Sequence, residues 1–340
     1  MREAMFIKRN KDKWIGYQHE QTESPDELAE RFTTLIDDVS YAKTYYPKST
    51  MTKWVNGLAA SLYQNIYKSK KGKYRQIAIF WKYDLPFLFK KYQKVFLFTT
   101  IFFLMMVTMG VLASIHDPSF IRGTLGNEYV DMTENNIRKG DPFGIYKDEN
   151  PFSMFIRIAF NNIKVAFITF IGGFTLGTLS LKILWDNGLM LGTFQYLFFA
   201  NGVGMQSVLV IWIHAVIEVS AILIAGTAGF VLAKSILFPG TYTRIQSLKI
   251  GGKDAAKILI ALIPFFIMAA FLESYITHLM SATFDNSQNT FLPVWASAMI
   301  LIMSIALIIW YFIIWPITLH KRGYAASRED VITRLVIRNA

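Results

Sequence analysis

The chain has 340 residues, a formal net charge of +11, 53% apolar side chains, 28 phenylalanines and no cysteine. Lacking a thiol, it can form no disulfide, thiolate nucleophile or cysteine-held metal site. Its Lys and Arg flank long apolar runs, which suits membrane lipid and a cytoplasmic face, so no nucleic-acid partner is expected.

The opening MREAMFIKRNKDKWIGYQHE has no apolar h-region, so no cleaved signal peptide is expected. Residues 1–94 read as a cytoplasmic helical region. Ser24-Pro25-Asp26-Glu27 starts a helix, with a Ser cap, Pro at the first helical position and Glu at the capping-box position. Leu28, Phe32, Leu35, Ile36 and Val39 continue at helical spacing, and Pro47 closes the stretch. A second helix is predicted over Thr50–Tyr67, and Lys68–Arg75 reads as a basic hinge. The mix of aromatics and lysines from Ile77 to Tyr92 predicts an interfacial helix lying on the membrane.

Apolar runs follow at Val95–Ile115, Val165–Leu184, Leu189–Ala200, Val208–Ala233, Ile258–Ile276 and Val294–Leu319. The third is short: at 1.5 Å per residue it covers about 20 Å of a hydrocarbon core about 30 Å thick. Charge decides whether it crosses. Residues 1–94 carry 18 Lys/Arg, loop 239–257 carries four and the tail after His320 five, while loop 117–152 has four against seven Asp/Glu. Six crossings place every basic region inside and the acidic loop outside. The expected fold is thus all-α: a bundle of about six transmembrane helices over 95–320, external loop 117–152, and a basic cytoplasmic tail 321–340. The expected location is the bacterial cytoplasmic membrane, with both termini cytoplasmic.

Ionisable residues inside spans need partners. His214 and Glu218 stand four apart on one helix face, Glu273 sits in the fifth run, and Lys164 follows Asn161-Asn162. Glu218 lies 16 residues before Lys234 and Glu273 16 after Lys257, about 24 Å up each helix. Lys164, 18 residues before Lys182, comes out about 27 Å up, and the Asn201–Gly204 turn near the same level. Asn162, Lys164, His214, Glu218 and Glu273 are therefore expected to form one polar layer. The bland reading is a satisfied network that fixes helix packing. The sharper ones are a proton- or ion-handling site or a metal site, for which one histidine is thin. No metal or other cofactor is expected.

Gly173 and Gly177, Gly188 and Gly192, and Ala225 and Gly229 stand at small-xxx-small spacing and predict close helix packing, with a homodimer through such faces. No Walker A loop, dinucleotide fingerprint, Gly-x-Ser-x-Gly or HExxH occurs, so catalysis is not expected.

The order Phe160-Asn161-Asn162-Ile163-Lys164-Val165, Gly172-Gly173…Gly177, Asn187-Gly188…Gly192, His214-Ala215-Val216-Ile217-Glu218, Ile224-Ala225-Gly226-Thr227-Ala228-Gly229, Pro239-Gly240…Arg244 and Ala269-Ala270-Phe271-Leu272-Glu273 resembles the stage II sporulation protein M family of bacterial membrane proteins. Ile213-His214-Ala215 departs from the Pro-His-Gly that this family often shows. The long N-terminal region resembles the non-sporulating, Gram-negative-type branch. The resemblance implies a membrane scaffold for peptidoglycan-remodelling hydrolases in sporulating bacteria, and elsewhere, where members are often encoded near MoxR-type ATPases, an envelope complex organised by a membrane subunit. Expected partners are lipid, a second copy and envelope proteins. The competing expectation is a transporter or channel whose path uses the polar layer.

Overall fold

The structure is a computed structural model that describes residues 2–19, 25–67, 73–144, 150–277, 279 and 293–321, and those residues are mostly helical with no strand among them. The chain divides into two compact units, 1–77 and 78–340.

The first unit holds α1 (Glu3–His19), α2 (Pro25–Tyr45) and α3 (Thr50–Tyr67). Leu28, Leu35, Val39 and Ala42 recur along one face of α2 and meet Val55, Ala59 and Leu62 of α3, with Phe6 and Trp14 of α1 closing the core. Buried Trp14 keeps its polar edge satisfied by donating from Nε1 to Asp38 (2.8 Å), and Lys13 pairs with the same carboxylate (2.6 Å). The Ser24 cap and the 68–72 part of the basic hinge lie outside the described residues, as does the tail beyond Lys321.

α4 (Lys73–Ile79), which contains the 77/78 division, runs through a π turn at Phe80–Asp84 into α5 (Leu85–Lys91) of the second unit. This stretch does not simply lie on a membrane surface. Leu85, Leu88 and Phe89 are buried in the bundle's core, the Phe89 ring packs tilted against Phe312 and Lys91 pairs with Asp254 (2.6 Å). That burial puts the boundary between units at 77/78, ahead of the expected residue 94.

The bundle follows. It comprises α6 (Gln93–His116), α9 (Pro151–Ile171, extended to Thr175 by a 3₁₀ turn), α10 (Thr178–Ala200), α11 (Gly204–Leu237), α12 (Arg244–Phe271, continued as a π turn to Thr277) and α13 (Val294–Ile309, continued through Lys321). Between α6 and α9 stand two short helices, α7 (Pro118–Leu125) and α8 (Asn127–Arg138). Five of these elements, all but α10 among the six long ones, are long and apolar enough to cross a membrane. The chain is a polytopic α-helical membrane protein.

The predicted second and third spans need correction. Val165–Leu184 is not one helix. It is the bend of a hairpin, in which Leu176 and Gly177 both take left-handed backbone (φ +56° and +86°) and reverse the chain between α9 and α10. An apolar turn, Gly172-Gly173-Phe174-Thr175-Leu176-Gly177, carries no hydropathy signal, so the run reads as continuous. The third element is not short either: α10 has 23 residues, about 35 Å at 1.5 Å per residue. Lys182 and Asp186 in its first turns, paired at 2.5 Å, hide it from a hydropathy reading.

Packing fixes the directions. Phe103, Val107 and Gly110 of α6 meet Gly188, Gly192 and Thr193 of α10 in rising order, so those two run parallel. Asn162, Thr169 and Gly173 of α9 meet Glu218, Gly229 and Leu232 of α11, also in parallel. Ser235 and His214 of α11 meet Gly251 and Glu273 of α12 in opposite order. Thus α6, α10 and α12 point one way and α9 and α11 the other. α11 is the axial helix, with Ala225, Ala228, Val231 and Leu232 buried in the main core.

The acidic loop, which shows no periodicity in sequence, forms α7 and α8. Asp117 caps α7 by accepting from the Ser119 N–H (2.8 Å), and these hydrogen bonds hold its carboxyl below the usual range. Arg122 of α7 pairs with Asp131 (2.7 Å) and Glu134 (3.6 Å) of α8.

Because the chain has no cysteine, its sidedness can be read by single cysteines. Cysteine at Glu134 on α8 should react with an impermeant maleimide in spheroplasts, and cysteine at exposed Tyr242, in the α11–α12 link, only after lysis. The reverse pattern would overturn the charge-based orientation.

Candidate functional site

Three spans converge on one polar cluster. On α11, His214 and Glu218 stand one turn apart on the same face. On the π turn that ends α12, Glu273 and Thr277 repeat that spacing from the opposite side. His214 Nδ1 is hydrogen-bonded to the Thr277 hydroxyl (2.9 Å), and its Nε2 faces Glu273 Oε1 at 3.9 Å. From α9, Asn162 donates from Nδ2 to Glu218 Oε1 (2.6 Å). His214 and Thr277 are fully buried among protein, and one ligand-type atom from each of His214, Glu218 and Glu273 lies within 4.8 Å of the others. π turns widen a helix locally and recur at sites that need a side chain re-aimed. Here the wider turn presents Glu273 and Thr277 to one imidazole.

The cluster borders a cavity of about 460 Å³. Its polar wall is Asn161, Asn162, Asn187, His214, Glu218 and Glu273. Thr124 and Leu125 of α7 and Tyr129 of α8 line the other end, so the two short helices of the acidic loop cover it. Burial there pushes the Tyr129 phenol up to about 12.

Four of the five expected members of the polar layer therefore meet, and Lys164 does not join them. It is exposed on α9, two residues from Asn162, and two residues turn a helix by about 200°. With Asn162 facing Glu218, Lys164 must face away. The height argument also fails for it, since Lys164 and Lys182 stand on opposite arms of the hairpin. The Asn201–Gly204 turn lies at the far end of α10 and α11 and is not part of the cavity wall. Sequence reading missed Thr277, whose signal was its four-residue spacing from Glu273, and Arg157, the cation whose field reaches Glu273. Tyr129 carried no local signal.

The small residues are all used inside the chain. A side chain at Gly188 or Gly192 would overlap α6, at Met106 or the Val107 carbonyl. Gly173 abuts Gly229 and Leu232, Gly229 abuts Thr169 and Ser180, and Ala225 is wholly buried. Gly177 serves the left-handed turn instead. None of these faces is left for a second copy, contrary to the expected dimer interface.

A family model described as stage II sporulation protein M matches residues 99–278, which runs from α6 through the π turn bearing Glu273. The chain belongs to the stage II sporulation protein M family. The match spans every residue of the cluster, so the polar site lies wholly within the part that defines membership in the stage II sporulation protein M family. A second family model, a domain of unknown function (DUF8413), matches residues 4–68, the three-helix unit. Searches of curated proteins and of solved structures give no match.

Proposed function

We propose that the protein is a non-enzymatic assembly subunit of a cell-envelope complex in the bacterial cytoplasmic membrane, its three-helix unit and its external helices offering docking surfaces on the two faces. The observation that carries this reading is Lys164. It stands near the middle of a span, exposed at the bundle surface beside Phe160 and Phe167, with no described carboxylate in ion-pair range. A lysine facing hydrocarbon at that depth costs several kcal/mol, whereas a carboxylate or carbonyl on a neighbouring protein removes the penalty. The outward face of α9 is therefore read as the contact face, for a second copy or for an envelope protein. The resemblance to sporulation protein M scaffolds connects such a subunit with peptidoglycan remodelling or with a MoxR-type ATPase system.

A photo-crosslinking residue at Phe160, 71% exposed, should yield a protein adduct in native membranes, identified by mass spectrometry as this chain or a partner. Lys164→Met should abolish that adduct while leaving the purified chain folded. Adducts to lipid alone would sink the proposal.

A second reading, transport, is supported by the cavity. Proteoliposomes that pass no ion or small solute at a rate sensitive to Glu218→Gln would remove it.

A further inference from the structure

We propose that His214, Glu218 and Glu273 bind a divalent transition-metal ion at the base of the cavity, contrary to the expectation of a metal-free chain. The three donors come from two helices and meet in one place: one atom from each lies within 4.8 Å of the others, and His214 Nε2 is 3.9 Å from Glu273 Oε1. Tetrahedral bonds of about 2.1 Å put ligand atoms about 3.4 Å apart. The two glutamates carry the rotatable side chains that would close that gap around an ion.

Two of the three donors also have the outer partner that a ligand needs. Nδ1 of His214 is engaged by the Thr277 hydroxyl, so with the proton on Nδ1 the lone pair of Nε2 points toward the glutamates. Asn162 holds one oxygen of Glu218, leaving the other to turn inward. Metal-binding imidazoles in other proteins are almost always oriented by such a second bond.

Charge points the same way. Two carboxyl groups share a largely buried space at the cavity wall, and the described cations near them are few. Lys164 faces away, and Arg157 acts on Glu273 from the exposed side of α9. A dication neutralises the pair more completely than one peripheral guanidinium. The imidazole selects for the ion type, because Mg²⁺ and Ca²⁺ prefer all-oxygen shells, while one nitrogen with two carboxylate oxygens suits Zn²⁺, Mn²⁺ or Co²⁺. Three protein ligands leave a fourth position, and the 460 Å³ cavity lies on that side. An incoming anionic or carbonyl group could complete the shell from there.

The test uses the full chain in nanodiscs, stripped with a chelator and titrated with Zn²⁺. Bound metal is counted by mass spectrometry after gel filtration. One zinc per chain is expected, and Co²⁺ in its place should give visible d–d absorption of a low-symmetry nitrogen–oxygen site. Glu218→Gln with Glu273→Gln should abolish both signals. Thr277→Val, which touches only the outer partner, should weaken binding about 10–100-fold. Removing His19, His116 and His320 together should change neither signal. Wild-type protein that holds no stoichiometric zinc and gives no cobalt band overturns the site, as does full binding by the double glutamine variant. The wild-type arm decides the matter even if the variants do not fold.

Discussion

Gly192→Val should destabilise the bundle by about 3 kcal/mol, at the upper end of the usual penalty for overpacking. A Cβ at Gly192 runs into the carbonyl of Val107, and at neighbouring Gly188 into the Cβ of Met106. Most overpacked cores recover part of the strain by moving side chains. Here the obstacle is a backbone carbonyl inside α6, so the two helices must separate along the whole seam. Gly252→Ala on α12 is the matched control, because the added methyl meets only Leu232 Cδ1 at 3.7 Å. That substitution should be neutral or stabilising by about 0.5–1 kcal/mol, as alanine replaces glycine inside a helix. Thermal unfolding of both variants in one detergent separates the cases. Equal melting temperatures would mean that the α6–α10 seam is looser than described.

The second large effect is a difference between single and paired changes at the polar cluster. Glu218→Ala removes the acceptor of the Asn162 amide and leaves a buried donor without its partner, at a cost of about 1–3 kcal/mol. Asn162→Leu with Glu218→Leu removes both halves together and should cost less than Glu218→Ala alone. Adding Lys164→Met to Glu218→Ala should simply sum, within about 0.5 kcal/mol, since Lys164 shares no partner with Glu218. Denaturant unfolding in micelles with chelator present keeps metal out of the comparison. A double leucine variant less stable than Glu218→Ala would show that the hydrogen bond is not what holds the pair in place.

Much of this was readable from the chain, for identifiable reasons. The spans over Val95–Ile115, Val208–Ala233 and Val294–Leu319 lie inside observed helical stretches because each is a long apolar run with no turn in it. The hairpin was not readable. Its turn is made of Gly, Phe and Leu, while the true first half of α9 contains Arg157, Asn161 and Asn162, which hydropathy discounts. Those asparagines are polar because they line the cavity, so the feature that masks the span also marks the site. His214, Glu218 and Glu273 could be grouped beforehand because a buried ionisable group demands company. Lys164 was misassigned because height along a helix was weighed without rotation about it. The lid formed by α7 and α8 depends on tertiary contacts, such as Arg122 with Asp131 and Tyr129 at the cavity, that leave no periodic trace.

The parallel pairing of α6 with α10 also dictates an order of events during synthesis. The glycine face of α10 reaches the membrane roughly eighty residues after the face of α6 that it fits. At about 5–20 residues per second, α6 waits some 4–16 seconds for its mate. Throughout that interval its Phe103–Gly110 groove is open to whatever else the insertion machinery holds. A nascent chain halted before Ala200 therefore presents a helix surface that still lacks its match.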